Sequence, residues 1–359
     1  NNTFHGGAWA LQLDGPFGPD VSGHNVQGNT FFNWGNRAIE MDDAFDGNII
    51  DNTFIMNQPF AGTEAIWTDD VENLVVSGNL VWNPNQGTGI EIMDPNLGTD
   101  PVVITNNSVY IGQANSTSAS VGLQLDDCDD GEIYHNTVFL DGSSNSGGNA
   151  IELGTTTDDA ILLNNNFVIS GTDGFAVDFA DNGVVLNSDF NNYFAFGTAN
   201  LVDYSGTTAN TLADIQTNTG FDANSISVDP AFVANDSLAV NNPLLQIANQ
   251  VGGITLDIRD SVRNTTPGTI TVGAYKYVVT PGLDLGATQA IHEAVSAPQY
   301  CGAADDLELE LTNLSTDPIN TAVIEFTING GTPTTVNYSP GTPLAGGDAD
   351  TILLAAAQA

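Results

Sequence analysis

The residues best suited to chemistry in this chain are carboxylates, and they recur at fixed places. Asp14, Asp42/Asp43, Asp69/Asp70, Asp94 and Asp126/Asp127 each follow a short apolar-x-apolar triplet, while Gln12, Glu40, Glu91, Gln124, Glu152 and Asp178 sit inside such triplets at the outward position. Two segments, Asp42-Asp43-Ala44-Phe45-Asp46-Gly47 and Asp126-Asp127-Cys128-Asp129-Asp130-Gly131, correspond position by position. Hard oxygen ligands at this density suit Ca2+, with Asp42, Asp43, Asp46, Asp126, Asp127 and Asp130 as candidate ligands; neither segment follows the EF-hand spacing, and a solvated acidic turn fits the same residues. Carboxylates on strands stacked about 4.8 Å apart would also meet the ~5 Å separation of a retaining glycosidase pair. If the chain is an enzyme, Glu40, Asp42, Asp69 and Glu91 are its candidate catalytic groups. Trp9, Trp34, Trp67 and Trp82 fall in or beside variable turns, and the last three are the candidate sugar-stacking residues, with packing as the competing role.

Charge narrows the partners. Against 44 Asp and Glu stand only Arg37, Arg259, Arg263 and Lys276, a formal net charge of −40. Nucleic acid and anionic membrane surfaces are excluded, because both require basic side chains that displace counterions. Elimination on a uronate needs a cation beside the substrate carboxylate, and the first 194 residues offer only Arg37, His5, His24 and His135 for it. His135, next to Asn136, reads more simply as a hydrogen-bonding turn residue, and His5 and His24 read the same way. No apolar run approaches the roughly 20 residues of a membrane-spanning helix. Cys128 and Cys301 are too far apart in sequence to suggest a disulfide framework, and Cys128 aligns with Ala44 as a small buried filler.

The elements that must position these groups are legible as a repeat. A large apolar residue with Asn two places before it recurs at Asn2/Phe4, Asn29/Phe31, Asn52/Phe54, Asn79/Val81, Asn107/Val109, Asn136/Val138 and Asn165/Phe167, and then as Ser188/Phe190. Five places before every anchor but the first lies another apolar residue, from Val26 to Val185. After each anchor comes an alternating triplet: Leu11/Leu13, Ile39/Met41, Ile66/Thr68, Ile90/Ile92, Leu123/Leu125, Ile151/Leu153 and Val177/Phe179, broken only by Thr68. Short strands recurring every 23 to 29 residues, separated by Gly, Asn and Asp, predict the coils of a solenoid. Asn29, Asn52, Asn79, Asn107, Asn136 and Asn165 are the expected rungs of an inward ladder, chosen because Asn tolerates left-handed backbone and can bond both neighbouring coils. Insertions gather between anchor and triplet, in the loops Asn57–Glu64, Asn83–Gly89, Gly112–Val121 and Asp141–Asn149, the expected binding face.

This pattern resembles the right-handed parallel β-helix of pectate-lyase-like proteins. The run Asp229-Pro230-Ala231-Phe232, Asn242-Pro243, Asp257-Ile258-Arg259-Asp260, Arg263 and Val272-Gly273-Ala274-Tyr275 resembles the closing segment of secreted bacterial β-helix proteins, with Asp260-Ser261 in place of their Asp-Gly. Further on, Tyr300-Cys301, Leu309-Glu310-Leu311-Thr312-Asn313 and Ile324-Glu325-Phe326-Thr327-Ile328-Asn329-Gly330-Gly331 resemble an immunoglobulin-like module of giant Bacteroidetes surface proteins. Such a module, shorter here than usual, implies a strand beyond the sequence and a downstream partner for Cys301. Asp236-Ser237-Leu238, Asp260-Ser261-Val262 and Asp350-Thr351-Ile352 are similar to Bacteroidetes O-glycosylation acceptors.

The expected chain is therefore all-β: β-helix coils over 1–194, an irregular and closing region over 195–278, and a small β-sandwich over 283–359, all excerpted from a longer, processed protein. The resemblance implies an extracellular, non-catalytic adhesin or surface segment, with polysaccharide or cell-surface glycan and neighbouring modules or other copies as partners. A glycoside hydrolase or lyase, or a purely structural stalk, are the alternatives.

Overall fold

A computed structural model describes residues 1–15, 23–58, 62–95, 101–112, 119–142, 148–171, 174–180, 184–197, 199–233, 238–277, 285–292, 307–313, 318–326, 334–345 and 348–355. Several expectations fall outside these residues: parts of three variable loops, the linker at Val279–Gly282, Ser237, Cys301 and Asn329-Gly330-Gly331. Residues Asn1–Tyr277 form one compact unit and Val278–Ala359 a second.

The first unit is a parallel β-solenoid. Each coil contributes one strand to each of three parallel sheets. The first sheet runs in eight strands from Thr3–His5 to Asn192–Ala195. The second runs in parallel from Trp9–Asp14 to Asn200–Tyr204, and Thr207–Ala209 adds an antiparallel edge. The third has seven strands, from Asn25–Gln27 to Val185–Asp189. Apolar residues fill the interior as the periodicity predicts: Ile49, Val76 and Ile104 from the third sheet, Phe31, Phe54 and Val109 from the first, and Ile39, Ile90 and Leu125 from the second are all buried. Aromatic anchors on successive coils stack, with ring centroids 4.8 Å apart for Phe4–Phe31 and 5.0 Å for Phe31–Phe54. The one break in the alternation, Thr68, is also fully buried, and its hydroxyl has no hydrogen-bond partner.

The Asn ladder forms. In Asn107, for example, Oδ1 accepts from both the backbone N (3.0 Å) and Nδ2 (3.0 Å) of Asn79, while Nδ2 donates to Val76 O (2.8 Å) and Asn136 Oδ1 (3.0 Å). Every polar atom of the side chain is thus engaged across coils. Of the two expected reasons for Asn, bonding to both neighbouring coils holds and left-handed backbone does not, because the left-handed corner is the residue just before each rung: Gly28, Asp51, Gly78, Asn106, His135, Asn164 and Phe190. What the rung requires is a short amide that donates and accepts. Two further corners, Asp43, Asp70, Asp94 and Asp127 in one column and Asp46, Asn73, Asp130 and Asp159 in another, are left-handed as well. Among the described non-glycine residues with positive φ, all but His135, Phe190, Ser205 and Ala231 are Asn or Asp, the types that adopt this region most easily.

The final coil departs from the expected register. Asn191 is the last rung and Tyr193 the anchor, 26 residues beyond Asn165 rather than 23. A register shift between Ala160 and Ile161 sets Ser188 opposite Leu162, so the apolar signal moves onto a serine. Ser188 is buried by exchanging its apolar partner for polar ones. Asp222 Oδ1 accepts from Ser188 Oγ (3.0 Å), Tyr193 OH (2.9 Å) and Ser225 Oγ (2.6 Å), and Ser225 Oγ in turn accepts from Asn191 N (2.8 Å), which ends the ladder.

The stretch read as irregular contains the end cover. Helix Leu212–Thr219, opened by a Thr211/Asp214 capping box, packs beside Asn200–Tyr204 and Thr207–Ala209 and buries Ile215 in the solenoid core. The segment that resembles a closing motif lies along the flank, as a strap. Leu238, Ala239, Ala274 and Tyr275 cover Tyr110, Phe139 and Val168 on the outer face of the first sheet. Ala274 N donates to Thr137 Oγ1 (2.9 Å) and Tyr275 OH to Ser108 Oγ (3.0 Å).

The second unit contains antiparallel sheets: Leu285–His292, Leu307–Asn313 and Ala349–Ala355 in one, Ala322–Phe326 and Thr334–Tyr338 in another. The strand at Leu285–His292 was not foreseen. Leu311, Ile319, Tyr338 and Leu344 form its buried cluster.

Replacing Asn107 by Ala strands the Asn79 N–H and the Val76 carbonyl inside the core, so an unfolding-energy loss of about 3 kcal/mol or more is expected by urea denaturation, against little for Asn2→Ala at the exposed edge. In the same assay Thr68→Val, which removes the orphan hydroxyl at constant shape, should gain roughly 1 kcal/mol.

Candidate functional site

The second sheet's strands align their outward residues in columns. One column reads Gln12, Glu40, Trp67, Glu91, Gln124, Glu152, Asp178 and Asp203; another holds Asp14, Asp42, Asp69, Met93 and Asp126. All four candidate catalytic residues, Glu40, Asp42, Asp69 and Glu91, therefore lie on one face. Asp42 and Asp69 are direct neighbours, and Glu40 and Glu91 flank Trp67.

Arg37, the cation of this half, is the hub. Its guanidinium pairs with Glu40 (2.8 Å) and with Glu64, and lies 3.6 Å from the centre of the Trp67 ring. Gln12 Nε2 donates to Glu40 Oε1 at 2.9 Å. A lone Arg among carboxylates was visible in the sequence, but while Glu40 shares its strand, Glu64 and Trp67 come from the next coil.

This geometry corrects the sugar-stacking expectation. Trp34 is fully buried, edge-on to Phe54. Trp67 is 9% exposed beneath Arg37, and Trp82 lies flat on Tyr110 at 4.0 Å and packs into the strap cluster. Burial closes Trp34 to a sugar, while Arg37 covers one face of Trp67 and Tyr110 one face of Trp82. Trp9, half exposed beside Arg37, is the indole that remains open.

Carboxylates placed in columns disturb one another. Partial burial first, then Glu64, Asp126 and Glu152, pushes Glu91 up to about 7, with Arg37 pulling the other way. Asp42 rises to about 6 through burial and the charges of Asp43, Asp69 and Asp14; Asp178 rises to about 6 through burial, Glu152 and Asp203. Of the six candidate calcium ligands, the structure brings Asp42 and Asp43 together with Asp14, whose carboxylate oxygens all lie within 4.8 Å. Asp46 sits on a different corner, where it accepts from Asn73 Nδ2 (2.9 Å). Asp126, Asp127 and Asp130 form no such group among the described residues. Asp126 instead accepts from Thr156 Oγ1 (3.4 Å). Cys128 is buried, and burial followed by Asp129 pushes its thiol up to about 12, which leaves it unreactive.

A pocket of about 420 Å3, which no motif foreshadows, lies between the solenoid corner (Asp51, Thr53, Gly78, Leu80) and the strap (Ile258, Arg259, Asp260, Tyr275). No protein-family model, curated protein or solved structure matches this chain.

Because the folded state raises the pKa of Glu91, it binds that proton more tightly than the unfolded chain does. Stability from this group therefore falls as pH rises from about 4.5 to about 7. Glu91→Gln should match the parent near pH 4.5 and exceed it by about 2 kcal/mol at pH 8, after allowance for solvent screening, in urea denaturation at both pH values.

Proposed function

We propose that this chain is a non-catalytic segment of an extracellular surface structure or adhesin, in which the solenoid serves as a rigid acidic rod. One observation carries the reading: the outer column of the second sheet bears a carboxylate or its amide in every coil except that of Trp67, from Gln12 to Asp203. The acids are spread along the rod rather than converging on a cleft, and the indoles at Trp34, Trp67 and Trp82 are occupied in packing. A glycan partner would then meet carboxylates and amides that bond its hydroxyls, with Trp9 as the available ring. Calcium at Asp14, Asp42 and Asp43 belongs to the same reading, since a divalent cation would relieve the repulsion within the columns. The second unit would be an immunoglobulin-like module, as the resemblance to Bacteroidetes surface proteins implies.

A polysaccharide hydrolase is the second reading. It is favoured by Glu91, raised to about 7, next to Glu64, which Arg37 holds by an ion pair.

Release of reducing ends from neutral and acidic polysaccharides, with calcium present and chelated, separates the two. No release is expected, together with a rise in Tm in millimolar calcium that Asp42→Asn abolishes. Release that disappears in Glu91→Gln would make the chain an enzyme.

A further inference from the structure

His135 occupies the left-handed corner that Asn106 fills one coil earlier and Asn164 one coil later, with φ of 55°, 54° and 62°. It is 1% exposed. Asn164 Nδ2 donates to Asn249 O (2.8 Å), which fixes its amide orientation, and lies 3.1 Å from His135 Nε2. Nε2 is therefore the acceptor and the imidazole carries its proton on Nδ1, which has no partner in hydrogen-bonding geometry.

Above the imidazole lies the strap. Gly273 N donates to Asn164 O (2.6 Å), and the buried guanidinium of Arg263 donates to the carbonyls of Leu256, Thr271, Gly273 and Ala274 and to Asn106 Oδ1 (2.7 Å). None of these acceptors is a carboxylate. The acid that acts on Arg263, Asp257, is itself taken up by the backbone N–H groups of Arg259, Ser261 and Lys276. The charged group acting on His135 is thus Arg263, a fixed cation. Burial first and Arg263 second hold the imidazole neutral well below its usual range, against a smaller opposing pull from the carbonyls of Gly273 and Thr271.

We propose that the strap is an acid-released cover: a proton on His135 frees residues 238–277 from the flank of the solenoid and uncovers Tyr110, Phe139 and Val168. The solenoid itself stays closed, because Asn136 is locked into the ladder and the strands on either side are paired along their length. The strap is held chiefly by side-chain contacts, and so it is what yields. A histidine with lowered pKa in the closed form takes up its proton only on opening. Closure is therefore at full strength above about 6.5 and weakens as pH falls below it, with the opening constant rising about tenfold per pH unit.

Hydrogen exchange of strap amides, corrected for intrinsic rates and measured on the full chain from pH 8 to 5, tests this. His135→Asn supplies the residue that neighbouring coils already use at this corner. In the parent, strap protection should fall about tenfold per pH unit below about 6.5 while solenoid strands keep theirs; in the variant the pH dependence should vanish. An equal slope in both proteins, or no slope in the parent, overturns the proposal. Should the variant fail to fold, the imidazole signal of the parent decides by NMR. Titration of His135 near 6.5 with strap signals unchanged overturns it, whereas protonation only in step with strap signals supports it.

Discussion

The stacking of coils at one strand spacing governs everything else in the first unit. Whatever residue type sits at a given position meets its own counterpart about 4.8 Å above and below. A type that gains from meeting itself is rewarded along the whole rod, and one that is repelled by itself is penalised along the whole rod. Asn gains most, since its carbonyl and amide satisfy the coils on either side and leave nothing unpaired at the core. Phe gains by stacking. Carboxylates lose: burial is the first cause of the raised pKa values of Glu91, Asp42 and Asp178, and the charge of nearby carboxylates adds to it.

The abundance of acid then has two separate origins. At the corners, Asp is present for its backbone: Asp43, Asp70, Asp94 and Asp127 turn the chain through the left-handed region, and a carboxylate accompanies the turn. On the outer face of the second sheet no backbone requirement exists, so Glu40, Glu64, Glu91 and Glu152 are surface choices. Arg37 offsets the charge at one point by bridging two coils and covering Trp67. Elsewhere relief must come from solution ions, which makes cation concentration a natural variable for this molecule.

The outer face of the first sheet has the opposite character. Trp82, Tyr110, Phe139, Val168 and Phe194 form an apolar row whose exposure to water would be unfavourable, and the strap covers its central part. The strap is anchored by a buried guanidinium that relies on carbonyl dipoles rather than a counter-ion. That anchor sits next to a histidine at a corner where the coils on either side place Asn. Cover and trigger are thus built from the same few residues.

The repeat, the identity of the ladder rungs and the inward residues of all three sheets were determined by the sequence, because period-two alternation and a recurring Asn are local signals that survive without coordinates. The register of the last coil was not, since a bulge shifted it onto Ser188 and the buried Asp222 network replaced apolar contacts with polar ones. Nor could spacing show that Trp34 faces inward, that Trp67 lies under Arg37, or that Asp14 joins Asp42 and Asp43 while Asp126, Asp127 and Asp130 do not converge. Those outcomes depend on which residues of different coils become neighbours and on side-chain direction at bulged corners. Only the tertiary structure fixes both, because the contacts that decide them join residues 23 to 30 positions apart, and at the strap more than 100.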